Sequence, residues 1–221
     1  MANPKNRTDS ALPEFDADFR AKLAELFAWR RDVRRFRPEP LPPGLIDRLL
    51  DLAVLAPSVG NAQPWRFVSV ESAQRRAAII ADFSRANEEA ARLYHDEQAA
   101  LYARLKLEGL KTSPIHLAVF CDETTAQGAG LGRQTMPETL RYSVVGAIQT
   151  LWLAARAHGV GLGWVSILHP EAINRLLDVA PEWFFVAYLC LGYPEEEHLD
   201  PELERRGWQA RTDAGRRILK R

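Results

Sequence analysis

The sequence has little cysteine and no excess of charge. Its 221 residues include only two cysteines, Cys121 and Cys190, and neither has metal-ligand spacing to the other or to a histidine. Because both lie in apolar runs, we predict buried strand thiols in a reducing compartment. Lysine and arginine number 29, as do aspartate and glutamate, so the formal net charge is zero. Such a chain has no global attraction for nucleic acid or an anionic membrane.

The sequence also lacks long hydrophobic runs and the common catalytic signatures. No apolar stretch reaches the roughly 18 residues of a membrane span, and the N-terminal residues contain no apolar core of signal-peptide length. We therefore expect a cytoplasmic protein without a membrane segment. The five histidines form no H-x-x-x-H pair, and no G-x-S-x-G, H-E-x-x-H or Cys/His pattern is present. Neither a metal site nor a nucleophilic hydrolase site is predicted.

The pattern of apolar residues predicts one compact α+β domain. With 47% apolar residues the chain can build a full core. Strand patterns alternate with helical ones, which predicts a sheet covered by helices on both faces. We place a polar N-terminal arm at 1–20 and the domain at 21–221. Strands are predicted at 65–71, 115–121, 162–167 and 183–191, helices at 21–30, 45–56, 137–158 and 170–177, and one or two helices across 72–110.

A cluster of arginines follows the first predicted helix in the stretch RRDVRRF, which begins at Arg30. Guanidinium groups three or four residues apart converge where the backbone leaves a helix, and each can hold two phosphate oxygens. Arg30, Arg31 and Arg34 therefore form a candidate phosphate site. The alternative is a solvated surface from which the arginines point outward. Asp32 within the cluster is either a salt-bridge partner of the arginines or a functional carboxylate.

Two further stretches combine glycine with polar side chains. APSVGNAQPW brings Ser58, Asn61 and Gln63 into one loop, and their amides and hydroxyl both donate and accept hydrogen bonds. Such a loop suits a polar heterocycle; the alternative is a satisfied helix-to-strand turn. GVGLGWVSILHP has glycines that let backbone N–H groups approach a flat ligand, with Ser166 at the strand end. These glycines follow a helix, which reverses the order found in a dinucleotide-binding turn.

Taken together and in this order, RRxxR, PSxxNxQPW and GLGW resemble the motifs of the FMN-dependent nitroreductase superfamily. The resemblance covers nearly the whole chain. It implies an α/β/α sandwich with a mostly antiparallel mixed sheet. It also implies an intertwined homodimer that binds FMN at the subunit interface.

One branch of that superfamily is more similar, through GLGRQTMPETLRYSVVGAIQTLWLAARAHGVGLGWVSIL and the late RRGW. There Asp32 stands where ordinary members usually carry serine. Members of the branch use reduced FMN as a substrate, which O2 fragments into 5,6-dimethylbenzimidazole, the lower ligand of cobalamin, and erythrose 4-phosphate. The resemblance implies an oxidoreductase with O2 as co-substrate, no metal, and a flavin reductase as partner. The alternative is an NAD(P)H-dependent nitroreductase that retains and recycles its FMN.

The resemblance also assigns roles to individual residues. Asp32 would be a general base toward the ribityl C1′ carbon, and the Ser166 hydroxyl would orient oxygen or relay a proton. The neighbouring arginines are expected to hold Asp32 ionised. We predict a lid at 88–110 that excludes water; the alternative is a peripheral helix pair. The residues expected to bind the flavin are Arg30, Arg31, Val33, Arg34, Ser58, Asn61, Gln63, Gly163, Val165 and Arg206.

Overall fold

The computed structural model describes residues 12–105, 109–213, 215, 218, 220 and 221. Residues 1–11 of the predicted arm and residues 106–108 of the predicted lid lie outside this part. The helices are α1 (Ala17–Trp29), α2 (Leu45–Ala53), α3 (Ala73–Ala91), α4 (Asp96–Arg104), α5 (Gly109–Thr112), α6 (Thr139–Ala157), α7 (Pro170–Leu177) and α8 (Glu202–Arg205). The strands are β1 (Trp65–Ser69), β2 (Ile115–Asp122), β3 (Gly161–Val165) and β4 (Trp183–Gly192). Each predicted strand is present, the region 72–110 divides into three helices, and α8 was not predicted.

Helix α1 delivers the arginine cluster to the sheet. Asp16 caps its start by accepting a hydrogen bond from the Phe19 N–H at 2.8 Å. At the other end Arg30 adopts an extended conformation, with φ −67° and ψ 116°. The helix therefore ends where the arginine cluster begins.

The four strands form one antiparallel sheet in the order β1-β2-β4-β3. The arginine segment adds to the β3 edge, where Asp32 forms a single parallel bridge with Leu162. Phe36 then forms an antiparallel bridge with Pro194, just beyond β4. The prediction of a mostly antiparallel sheet with a minor parallel part is therefore confirmed.

Two apolar cores lie on opposite faces of the sheet. One contains Leu49 of α2 and Leu151 of α6, together with inward residues of β2 and β4. The other contains Ile79 of α3 and Ile173 of α7, packed with the fully buried Phe36. Helices therefore cover both faces, which confirms the predicted α/β/α sandwich.

The two cysteines lie in strands, as predicted. Cys121 in β2 and Cys190 in β4 are buried and unpaired by disulfide. Burial raises the pKa of each thiol to about 12, so both stay protonated and unreactive near neutral pH. Among the described residues, no helix combines the length and the hydrophobicity that crossing a membrane requires.

Candidate active site

The arginine segment approaches β3 at a distance that only glycine permits. The Val33 N–H donates to the Leu162 carbonyl at 3.0 Å. A Cβ atom on Gly163 would lie 2.1 Å from the Val33 carbonyl oxygen, and one on Gly161 would lie 2.8 Å from Val33 Cγ2. We predicted that these glycines admit a flat ligand. On the side where a Cβ would stand, Gly163 faces the Val33 backbone and Gly161 faces the Val33 side chain, next to Asp32.

Asp32 is held from two directions. Its Oδ1 accepts the Trp164 N–H at 2.9 Å, and its Oδ2 accepts Arg34 Nε at 3.1 Å. Both partners bind the ionised carboxylate well, because a carboxylate only accepts hydrogen bonds. About a third of the Asp32 side chain, 34%, stays accessible to solvent. The carboxylate is thus oriented by the sheet edge while one side remains open to a ligand.

Burial raises the pKa of the Asp32 carboxyl above its ordinary value. The Trp164 N–H and the Arg34 cation act in the opposite direction, and the nearby Glu202 carboxylate adds to the rise. We expected the neighbouring arginines to hold Asp32 ionised; the Arg34 cation does favour the ionised form, but burial has the larger effect on the pKa. A carboxyl with a raised pKa is a stronger base than an exposed aspartate.

An acidic segment at residues 195–202, which we call the acidic tail, covers the arginine cluster. Glu202 lies 3.3 Å from Arg35 and 4.0 Å from Arg34, and its own side chain is buried. Arg31 Nε donates to the Leu199 carbonyl at 2.7 Å. The predicted ligand Arg206 is half-exposed and lies 3.5 Å from Glu202. The cluster is therefore neither a free phosphate site nor a plain solvated surface in the isolated chain.

The remaining arginine of the predicted phosphate site rests on an aromatic ring. The Arg30 guanidinium lies 4.9 Å from the centre of the Trp152 ring. Trp152 Nε1 donates to the Arg31 carbonyl at 3.2 Å, which ties the cluster to α6. The sequence pattern missed both Trp152 and Glu202. Their distance along the chain from the cluster explains this, because local spacing carries no signal for such contacts.

Three clefts border Asp32. One of about 180 Å³ is lined by Arg30, Arg31 and Arg34 together with Glu202 and Arg211. A second, of about 50 Å³, is lined by the arginine segment and the acidic tail. The third measures about 10 Å³. Its lining includes Val33, Gly163, Val165 and Cys190. Pockets for ligands of cofactor size usually measure about 300–1,000 Å³. A single chain therefore supplies only part of a site. Around Asp32 it brings together predicted residues of the arginine segment and of β3.

Ser166 follows the last residue of β3 and is exposed. It stands two residues after Trp164, whose N–H binds Asp32. Ser166 therefore lies just beyond the strand whose backbone binds Asp32.

Ser58, Asn61 and Gln63, the remaining predicted flavin-binding residues, lie together in a separate loop. The Gln63 N–H donates to Ser58 Oγ at 3.0 Å, and Gln63 Nε2 donates to Asn61 Oδ1 at 3.1 Å. Asn61 and Gln63 have positive φ angles of 54° and 45°, which cost energy in residues other than glycine. Both side chains are exposed, so the strained turn presents its amide groups to solvent or to a second molecule.

This loop lies far from Asp32 within one chain. Val59 in the loop donates to Ser143 Oγ at 3.0 Å, near the start of α6, whereas Arg31 contacts Trp152 nine residues later. Nine helical residues span about 13 Å. The sheet order gives a similar answer, because β1 and β3 stand at opposite edges. The structure therefore brings Asp32, Arg34 and Gly163 together and leaves the Ser58 loop apart.

Comparisons with known proteins identify relatives over most of the chain. A protein of Rhodospirillum rubrum named 5,6-dimethylbenzimidazole synthase is 61% identical over 199 residues, which cover 90% of this chain and 94% of that protein. A protein of Rhodobacter capsulatus with the same name is 51% identical, covering 88% and 94%. The solved structure of oxidized iodotyrosine deiodinase bound to FMN and 3-iodo-L-tyrosine is 26% identical, with a TM-score of 0.67, and covers 80% of this chain and 91% of that one.

The family match itself spans most of the sequence. The model described as "Nitroreductase family" matches residues 27–193, which run from α1 to the end of the sheet. That range contains the arginine cluster, the Ser58 loop and β3. Together with the shared fold, this match establishes that the chain belongs to the nitroreductase family.

Proposed function

We propose that the chain is a 5,6-dimethylbenzimidazole synthase, in which O2 fragments reduced FMN into 5,6-dimethylbenzimidazole and erythrose 4-phosphate. The observation that carries the proposal is Asp32, an oriented carboxylate that borders three clefts of a nitroreductase fold. The two relatives at 61% and 51% identity that bear this name support it. An enzyme that only recycles its flavin has no step that needs such a base.

Asp32 is suited to remove hydrogen from the flavin side chain. The ribityl C1′ carbon becomes the carbon between the two nitrogens of the imidazole ring, so it must lose one of its two hydrogens and its bond to C2′ and bond to the second nitrogen. A carboxylate held by Trp164 and Arg34 is positioned for proton removal, and its raised pKa increases its basicity. The Ser166 hydroxyl, just beyond the same strand, would orient oxygen or relay a proton.

The arginines are suited to the FMN phosphate. Arg30, Arg31 and Arg34 line one cleft beside Asp32, and guanidinium groups bind phosphate oxygens in pairs. In the isolated chain the Glu202 carboxylate forms an ion pair with Arg35 and lies close to Arg34. A phosphate dianion entering this cleft would compete with that carboxylate, so binding should displace the acidic tail. Arg206, beside Glu202, would then be free to join the phosphate.

We infer that a second copy of the chain completes the site. Ser58, Asn61 and Gln63 are too far from Asp32 to address the same ligand within one chain, yet they present amides outward. The α6 helix exposes Tyr142 and Val145, apolar side chains that a partner chain would cover. The small clefts around Asp32 support the same inference, since a ligand of FMN size needs further walls.

This shared site can be tested by mixing two inactive chains. Asp32→Asn and Asn61→Ala should each abolish product as homodimers. In a co-expressed heterodimer, one of the two sites would receive wild-type residues from both chains, and about half of the activity should return. No recovery in the isolated heterodimer would contradict a site built from two chains.

The proposal also covers the source of reduced FMN and the exclusion of water from the site. Reduced FMN would come from a separate flavin reductase, and the reaction would take place in the cytoplasm, where such reductases and FMN are found together. The helices of 88–110 would act as a lid, because water must stay out while oxygen reacts with the flavin. We propose no metal, and no group of three or more metal-ligand side chains occurs among the described residues.

The function can be tested without any reductase. Photoreduced FMN is mixed with the purified protein and then exposed to air, and the products are separated by chromatography. We expect 5,6-dimethylbenzimidazole in amounts that match the FMN consumed. Recovery of all flavin as reoxidised FMN would contradict the proposal. Rapid bleaching of bound FMN by NAD(P)H with repeated reduction of a nitroaromatic would support the alternative, a recycling nitroreductase.

A further inference from the structure

A buried carboxylate outside the proposed catalytic centre grips the segment that carries Ser166. Asp82 of α3 is 2% exposed. Its Oδ2 accepts the His169 backbone N–H at 2.9 Å, and its Oδ1 faces His169 Nδ1 at 3.1 Å. The Arg85 guanidinium also contacts Oδ1. Asp82 thus fixes both the backbone and the ring of His169.

The other ring nitrogen of His169 faces a second carboxylate. His169 Nε2 lies 3.1 Å from Glu89 Oε2, two turns along α3 from Asp82. Ionised carboxylates only accept hydrogen bonds, and a neutral imidazole has a single N–H. Both contacts are hydrogen bonds only when the ring is protonated. Hydrogen bonds to Glu89 and then to Asp82 accordingly raise the pKa of His169 above its ordinary value.

The position of His169 gives this contact a functional consequence. His169 stands three residues after Ser166, between the end of β3 and the start of α7. Glu89 lies within the region 88–110 that we propose as a lid. The contact therefore connects the base of that region to the short segment between β3 and α7.

We propose that Asp82, His169 and Glu89 form a clamp that positions Ser166 for the reaction, and that the clamp loosens when His169 loses its proton. The role of Ser166 rests on the function proposed above. A group with a raised pKa in the folded state contributes fully at low pH, and its contribution is lost as the pH rises through that pKa. Arg85 on α3 and Glu171 and Arg175 on α7 line the same cleft as His169.

The test uses Glu89→Gln, which removes the exposed half of the clamp and leaves the buried Asp82 in place. Glu88→Gln is the matched control, because Glu88 is also exposed on α3 and makes the same change of charge. His169 is titrated by NMR of its ring C–H, assigned by its loss in His169→Asn. The yield of 5,6-dimethylbenzimidazole per reduced FMN is then measured at each pH.

We expect the wild-type yield to fall as the pH rises through the NMR midpoint of His169. Both midpoints should move to lower pH by the same amount in Glu89→Gln and stay in place in Glu88→Gln. If the NMR midpoint of His169 shifts in Glu89→Gln but the midpoint of the yield does not, the positioning role is refuted. Absence of product from wild type would refute the proposed function instead. In that case amide hydrogen exchange tests the clamp by itself. Exchange at residues 166–169 should be faster in Glu89→Gln than in wild type. Unchanged exchange would refute the clamp.

Discussion

Replacing Gly163 by alanine tests whether the close approach of two backbones positions Asp32. The new Cβ would stand 2.1 Å from the Val33 carbonyl oxygen, which is main chain and cannot rotate away. Carbon and oxygen atoms that are not bonded rarely approach closer than about 3.3 Å. The segment bearing Val33 must therefore retreat by roughly 1 Å.

That retreat would break two hydrogen bonds at once. The Val33 N–H to Leu162 bond is 3.0 Å long and the Trp164 N–H to Asp32 bond is 2.9 Å, so each would lengthen beyond hydrogen-bonding range. A neutral bond contributes about 0.5–1.5 kcal/mol and one to a charged group about 1.5–3 kcal/mol. We expect Gly163→Ala to lose roughly 2–4 kcal/mol of folding stability. A misplacement of about 1 Å should also lower the rate roughly 100-fold.

The assay compares three alanine substitutions by urea unfolding, followed by tryptophan fluorescence at one protomer concentration. At Gly161 the nearest obstacle is the Val33 side chain at 2.8 Å, which can rotate, so the loss should be smaller. At Gly215 nothing lies within 4 Å of the Cβ position, so alanine should be close to neutral. Equal stability of the Gly163 and Gly215 variants, with undiminished product, would show that the close contact does not position Asp32.

Three further predictions concern charge. Burial lowers the pKa of His116 from 6.5 to about 4. The free energy of unfolding should therefore fall by about 3 kcal/mol as the pH decreases from 6.5 to about 4. In urea unfolding, His116→Gln should reduce this dependence of stability on pH. Arg34→Gln removes the cation 3.1 Å from Asp32 and should raise that pKa further, moving the acidic limb of the kcat profile to higher pH; an unmoved limb would argue against Asp32 as the base. Glu202→Gln removes the competitor for the FMN phosphate, and fluorescence titration should give roughly threefold to tenfold tighter FMN binding. Weaker binding would mean that Glu202 orders the arginines instead.

The order of elements could be predicted from the sequence because it depends on local patterns. The continuous apolar run of β4 and the nearly all-round apolar surface of α6 indicate buried elements without knowledge of their partners. The short helix α8 escaped prediction, because four residues give too few turns for a period to be recognised.

The candidate site could be predicted only in part. The family resemblance pointed to Asp32, and the structure supplied its two partners and its place at the sheet edge. Glu202 lies about 170 positions from the arginines it contacts, and nothing in its local sequence indicates that pairing. The direction of the Asp32 pKa shift was missed for a similar reason. Neighbouring arginines are visible in the sequence, whereas desolvation depends on how the whole chain packs.

Asp32→Asn tests the central claim most directly, because asparagine keeps the shape of the side chain and can still accept the Trp164 N–H, but cannot act as a base. The measurement is the amount of 5,6-dimethylbenzimidazole formed from photoreduced FMN and air, with FMN affinity determined on the same preparation. We expect the variant to bind FMN and to return it only as reoxidised flavin, while wild type forms 5,6-dimethylbenzimidazole. Undiminished product from Asp32→Asn would show that Asp32 is not the base.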